Sequence, residues 1–223
     1  MGRRDLLISG FAAVACGLVS RPVEALIAGV APGQREQSVT ALVQSRIAPV
    51  PASSVSKPTI VHEALAALDR HSHSVKYRDR IAIVDFSVPS SQPRMQVVDI
   101  ESGRTAWFLV SHGMGSDPRH TGYLQRFSNV PNSNASSQGA FVTGDYYVGQ
   151  HGRSQRLIGL DATNNKAFER AIVIHSAWYA NAGMITAHGK LGRSQGCFAV
   201  GESELSRLFD RLGQGRMIYP AKV

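Results

Sequence analysis

The sequence predicts a mainly β fold, a sandwich or barrel with a few peripheral helices. Three observations carry that expectation. From Arg80 onward, short runs of β-branched and aromatic residues are punctuated by Pro, Ser and Gly. A later run, Ala171-Ile172-Val173-Ile174, is apolar without alternation, the pattern of a central strand buried on both faces. Only two segments place apolar residues at helical spacing. Many short strands with few helices pack sheet on sheet, or as a sheet closed on itself, with the helices outside.

In chain order, Val61, Ala64, Leu65 and Leu68 predict a short amphipathic helix from about Thr59 to His71, with Pro58 before or within its first turn. Strands follow at Ile81–Phe86, Met95–Ile100 and Thr105–Val110, separated by Pro89-Ser90-Ser91 and Ser102-Gly103. Ala140–Thr143, Tyr146–Val148 and Leu157–Leu160 continue the series before the apolar run at 171–174. Leu205, Leu208, Phe209 and Leu212 predict a second helix capped by Gly213, and Met217–Tyr219 a last strand.

The 223 residues, 43% of them hydrophobic, suffice for one core and exclude wholesale disorder. Two cysteines exclude a disulfide-dense scaffold and a four-cysteine zinc site. Lys and Arg number 24 against 16 Asp and Glu, a net charge of +8 that attracts any polyanion.

The N-terminus reads as an address. Arg3-Arg4-Asp5-Leu6-Leu7 precedes an apolar stretch that ends at Val19, shorter than the roughly 20 residues a spanning helix needs. This is the layout of a twin-arginine-like signal peptide over residues 1–25, with small residues around Ala25 for cleavage. Residues 26–58, rich in Pro, Ala and Ser, form a linker, and 59–223 a single domain. The expectation is an exported protein of the periplasm or cell envelope, not an integral membrane protein once the signal is removed. Cleavage takes three basic and two acidic residues, so +8 becomes +7, and it takes Cys16. Cys197 is then the one thiol left.

A lone cysteine is commonly an inert filler, so its neighbours decide. His175 closes the apolar strand, and a glycine-rich loop, Gly189 to Gly196, leads into Cys197. A thiol nucleophile needs a base, usually His, and backbone N–H donors for the oxyanion. Gly196 permits a sharp turn that bares those amides, and Arg193 adds positive charge that favours thiolate.

These residues resemble the signature of the L,D-transpeptidases of bacterial cell walls, the YkuD-type domain: a strand-end His, a spacer, then Ser/Thr-x-Gly-Cys. Here it reads His175, eighteen residues, then Ser194-Gln195-Gly196-Cys197. Ser111-His112-Gly113-Met114-Gly115-Ser116, Phe127-Ser128-Asn129, Ser136-Ser137-Gln138-Gly139, Tyr147 to Gly152 and Arg170 to His175 resemble the murein L,D-transpeptidase catalytic domain subgroup. The resemblance runs from Ile81 to Val200. Two positions depart from it: Gln195 stands where His is frequent, and Ala199 where Arg or Asn is frequent. A second loop histidine and a polar clamp after the nucleophile are therefore missing from the motif.

The resemblance implies that Cys197 attacks the peptide bond between a diamino acid and terminal D-alanine in a peptidoglycan stem. His175 acts as base and then acid, Gly196 and Cys197 amides hold the oxyanion, and an amine of a second stem resolves the thioester to a 3–3 cross-link. Water in its place gives a carboxypeptidase or amide hydrolase, and an envelope lipoprotein amine gives protein anchoring. A silent wall-binding module with a merely buried Cys197 is the reading of another class. No cofactor or metal is implied. Nucleic acid is set aside, because no recognition motif accompanies the charge.

Of the remaining candidates, Arg193 suits a substrate carboxylate and Ser194 the loop or the substrate. Trp178, Tyr179, His112 and His151 are candidates to line the substrate cleft. His188 is a rival base, less rigidly carried than a strand-end histidine. His62, His71 and His73 read as solvated, and His120 has no role.

Overall fold

The structure, a computed structural model, describes residues 58–223. The signal expected over 1–25 and the linker expected over 26–58, apart from Pro58, lie outside the described residues. The strands are β1 Arg80–Asp85, β2 Met95–Asp99, β3 Thr105–Phe108, β4 Phe141–Gly149, β5 Gly152–Gly159, β6 Val173–Ser176, β7 Phe198–Val200 and β8 Met217–Ala221. The helices are α1 Pro58–Arg70, α2 Gly183–His188 and α3 Leu205–Leu212, with single 3-10 turns at Met114–Ser116 and Trp178–Ala180.

All eight strands form one mixed sheet, in the order β3-β2-β1-β8-β4-β5-β6-β7, in which β1 and β8, and β6 and β7, run parallel. The fold is mainly β, as the strand runs predict. In β1 the side chains alternate: Ile81 and Ile83 meet Ile60, Ala64 and Leu68 of α1, whereas Ala82 and Val84 enter the main core. That core draws on both ends of the sheet, Met95 and Val97 from β2 together with Ile174 from β6 and Phe198 from β7. The sheet therefore curls. The chain leaving β3 bridges its two edges: Ser111 N–H donates to Ala199 of β7, and Gly113 forms a parallel bridge with Ser194. Helix α3 plugs the core with Leu205, Leu208, Phe209 and Leu212, each stabilising by about 1.5–3 kcal/mol on burial.

Three elements differ from expectation. The apolar run at 171–174 yields a strand only from Val173, second from an edge rather than central. Ile172, Val173 and Ile174 are all buried although the strand lies one place from the edge, because apolarity reports how far the faces are covered and not the order of strands. The last strand extends to Ala221 and is the central one, between β1 and β4. Tyr146–Val148 is not separate: it continues β4 past a register shift between Thr143 and Tyr146. There Gly144 and Asp145 oppose the single Arg156, and this one extra residue bends the β4–β5 hairpin.

Candidate active site

Strands β6 and β7 pair in parallel, Ile174 with Phe198 and His175 with Ala199. Ile174 and Phe198 face the core. By alternation, Val173, His175 and Cys197 face the opposite way, and all three line a cavity of about 560 Å³. The hairpin supplies Tyr147, Gln150 and His151 to its wall, and the Gly-rich loop supplies Arg193, Ser194 and Gln195.

His175 is 1% exposed. Its Nδ1–H donates to the Ser176 carbonyl at 2.9 Å, which fixes the tautomer and leaves Nε2 as the basic nitrogen. The group that orients this histidine is thus its own neighbour's backbone, which no side-chain motif encodes. The ring of His151 stacks on it, centroids 4.3 Å apart and planes 20° from parallel. Burial holds the His175 pKa below the ordinary 6.5, the Ser176 carbonyl opposes this, and His151 adds to the lowering. A second histidine therefore stands at the site, carried on the β4–β5 hairpin and not in the Ser-Gln-Gly-Cys loop.

Cys197 is 9% exposed, and its thiol lies 3.6 Å from the Ala171 carbonyl. Burial pushes its pKa above 9.0, while the Val173 amide and the Arg170 guanidinium pull it back. A raised thiol beside a lowered imidazole rests as a neutral pair at neutral pH. The cation facing the thiol is Arg170, not Arg193 as expected. Arg170 spans the loop 128–137, donating to Ser128 O at 2.8 Å, Ser137 Oγ at 2.6 Å and Ala135 O at 2.5 Å. Arg193 gives its guanidinium to the carbonyls of Asp117 and Pro118, although it still lines the cavity.

Gly196 has φ +112, and a Cβ there would stand 2.7 Å from Ala135 O. Both the turn and the close approach exclude any other residue. Ser194 holds this turn: its Oγ accepts from Gly196 N–H at 3.1 Å and donates to Cys197 O at 2.7 Å. Ser194 therefore braces the loop, while still lining the cavity. The Gly196 amide, expected at the oxyanion, is engaged in this turn.

Tyr179 lines the cavity as expected, and burial, then Cys197, pushes its phenol up to about 12. Two candidates are not in the lining. Trp178 is 66% exposed, edge-on to Tyr179. His112 is 1% exposed beneath the site: Arg94 donates to its Nδ1 at 2.8 Å, so Nε2 carries the proton and donates to Asp117 at 3.3 Å. Burial and the Arg94 charge lower its pKa to about 3. Burial works against the Asp117 charge, yet the Thr121 and Gly122 amides hold that carboxyl below its ordinary value. This network braces the segment on which Ser194 rests, since Ser194 N–H donates to His112 O. His188, the rival base, is exposed on α2 away from the lining. His71 is not simply solvated but bonds Asp161 at 2.8 Å, and His120 has a structural partner, the Leu191 carbonyl at 2.9 Å.

Arg170 is a residue of the cavity that was not among the sequence-based site candidates. It sits in the Arg170-to-His175 motif, but its partners lie 33 to 42 residues upstream, so only its charge near the strand start signalled it. A second cavity, about 590 Å³, lies among Arg80, Arg104 and Arg211 with Asp99 and Asp210. Its three arginines face two carboxylates, Arg80 lying 3.9 Å from Asp99, and its lining has no Cys or His. Among the described residues no three His, Cys, Asp or Glu side chains converge as metal ligands, and no helix is long and apolar enough to cross a membrane.

With this geometry in place, a family model described as an L,D-transpeptidase catalytic domain matches residues 52–220. An L,D-transpeptidase from Mycobacterium smegmatis is 12% identical, covering 64% of this chain and 58% of its own, with a TM-score of 0.38. L,D-transpeptidase 3 from Mycobacterium tuberculosis is 13% identical, covering 65% and 61%, at 0.36. An L,D-transpeptidase from Stackebrandtia nassauensis is 15% identical, covering 80% and 73%, at 0.37. This chain thus spans about three fifths of the length of the mycobacterial structures it matches. No curated protein sequence matches it.

Proposed function

The chain belongs to the L,D-transpeptidase catalytic domain family, and from that premise we propose that it is an exported cysteine acyltransferase that cross-links peptidoglycan stems. The observation that supports this reading best is the juxtaposition of Cys197 and His175 on the cavity-facing side of the β6–β7 pair. Substrate binding displaces water, and His175 Nε2 takes the thiol proton as sulfur attacks the carbonyl between the diamino acid and terminal D-alanine. The neutral resting pair suits this order, because charge develops only when an electrophile is present. The Cys197 amide serves the oxyanion, with Gly196 shaping the turn that presents it. Nε2–H then protonates the departing D-alanine amine, and an amine of a second stem resolves the thioester to a 3–3 link. Arg193 offers its remaining N–H groups to the D-alanine carboxylate, and Tyr179, His151 and Tyr147 wall the stem. The acceptor is another stem or an envelope lipoprotein.

The test is mass spectrometry of the intact protein after exposure to a carbapenem, a β-lactam whose ring opens onto a nucleophilic thiol. One covalent adduct is expected, lost in Cys197→Ala and strongly slowed in His175→Ala. No adduct on folded protein would favour a wall-binding module, and an adduct persisting in Cys197→Ala would remove that residue as nucleophile. Muropeptide analysis separates cross-linking from trimming to a tripeptide.

A further inference from the structure

Glu169 is the one carboxylate among the described residues that line the cavity holding Cys197 and His175. It stands in a tight turn: Ala171 N–H donates to Phe168 O at 3.1 Å, and Ala171 takes the left-handed conformation, φ +52. Two residues on, the Ala171 carbonyl faces the thiol. The Glu169 and Ala171 Cα atoms are therefore within about 8 Å of one another.

None of the cations around it pairs with it. Arg170 turns inward to Ser128, Ser137 and Ala135, and Arg193 to the Asp117 and Pro118 carbonyls. Arg156 lies over the rings of Tyr147 and Phe168. Among the described residues the Glu169 carboxylate has no hydrogen bond or ion pair. A carboxylate left unpaired in the wall of an otherwise cationic cleft is a feature with a chemical complement, a primary ammonium group.

We infer that Glu169 is the acceptor-recognition residue of the cleft, docking the side-chain ammonium of the incoming stem beside the acyl-enzyme. The inference rests on the acyltransferase reading above and names which group selects the acceptor. The two stems differ in the group they bring to the site: the acyl donor presents a carboxylate, to Arg193, and the acceptor presents an ammonium. Once docked, the ammonium loses one proton to solvent. Its nitrogen attacks the thioester carbon as the C–S bond breaks. The second proton passes through His175 to the leaving sulfur, restoring the thiol, and one amide bond replaces one thioester. Water attacking the same carbon yields a free carboxylate, so the occupancy of the Glu169 site sets the ratio of cross-link to hydrolysis.

The experiment supplies purified protein with a tetrapeptide stem ending in a diamino acid and D-alanine, and counts cross-linked dimer and hydrolysed tripeptide by mass spectrometry. The ratio of the two products is independent of how much enzyme is active. Glu169→Gln is expected to raise the acceptor KM about fivefold and shift product from dimer to tripeptide. Glu169→Asp, which keeps the charge, is expected to retain most dimer. The same ratio and acceptor KM in Glu169→Gln as in the unaltered protein would overturn the inference while leaving the acyltransferase reading intact. Failure of the unaltered protein to form any Cys197 adduct with a carbapenem would instead remove the reading on which it rests.

Discussion

His151 lies flat on His175, so the proposed base of the site is covered by an imidazole carried on the β4–β5 hairpin. Uncovering His175 restores its contact with water and raises its pKa toward 6.5, since both burial and His151 now lower it. A base works only when neutral, so the acid limb of carbapenem acylation is expected below pH 6.5 in the unaltered protein. In His151→Ala that limb moves to higher pH, and the rate at pH 6 falls relative to pH 8. His151→Phe keeps the ring cover without the imidazole and should fall between. Superimposable profiles for all three would show that the stack has no bearing on the base.

Arg170 is the charge that opposes the burial of the thiol. Arg170→Gln is expected to slow acylation severalfold, because the Cys197 pKa rises further once that charge is gone. It also breaks hydrogen bonds to the 128–137 loop, each worth about 1.5–3 kcal/mol when the donor is charged. Rates of thiol alkylation against pH, measured beside the unfolding midpoint, separate the two effects. The alkylation profile moves to higher pH if the charge acts on the thiol, and stays in place if Arg170 is only a strut.

Ser194 and Gly196 are a single device. Ser194→Ala removes the acceptor for Gly196 N–H and the donor to Cys197 O, an expected loss of about 1–3 kcal/mol in stability. Gly196→Ala forces a Cβ to 2.7 Å from Ala135 O at φ +112, and should lose more stability and nearly all acylation. Thermal unfolding and adduct formation measure both. Full acylation by Gly196→Ala would contradict the role given to this turn.

His112 predicts an acid-sensitive fold. Its folded pKa of about 3 lies below the unfolded 6.5, so the unfolded chain binds more protons between these values. Stability is then complete above pH 6.5 and falls as pH drops toward 3, by on the order of 4 kcal/mol across the window. Asp117, also lowered, adds its loss only below its ordinary 3.8. Urea midpoints from pH 7 to 4.5 should decline in the unaltered protein and decline less steeply in His112→Asn. An equal slope in both would place the acid sensitivity elsewhere.

The strands and two helices that the sequence predicts are present because each is written in a local period that its own neighbours satisfy. The helix Leu205–Leu212 ends at Gly213 as its spacing requires. The strand Val173–Ser176 was legible as buried but not as near an edge, because apolarity measures cover and not sheet order. Helix α2 escaped notice for a related reason: it has no buried residues, so no apolar stripe marks it. Trp178 and His112 were legible as side chains of interest, yet one points to solvent and the other lies under the site.

By itself the sequence determined the β-rich class and singled out Cys197, His175 and Gly196 as candidate site residues, all of them matters of residue type at short spacing. Tertiary structure decided which cation faces the thiol, which imidazole covers the base, and that Arg193 and the Gly196 amide are already engaged. Those outcomes depend on partners brought together by the curl of one sheet and by the bend in its β4–β5 hairpin. A local pattern fixes which way a side chain leaves its strand, whereas what it meets is set by strand register and closure across the whole domain.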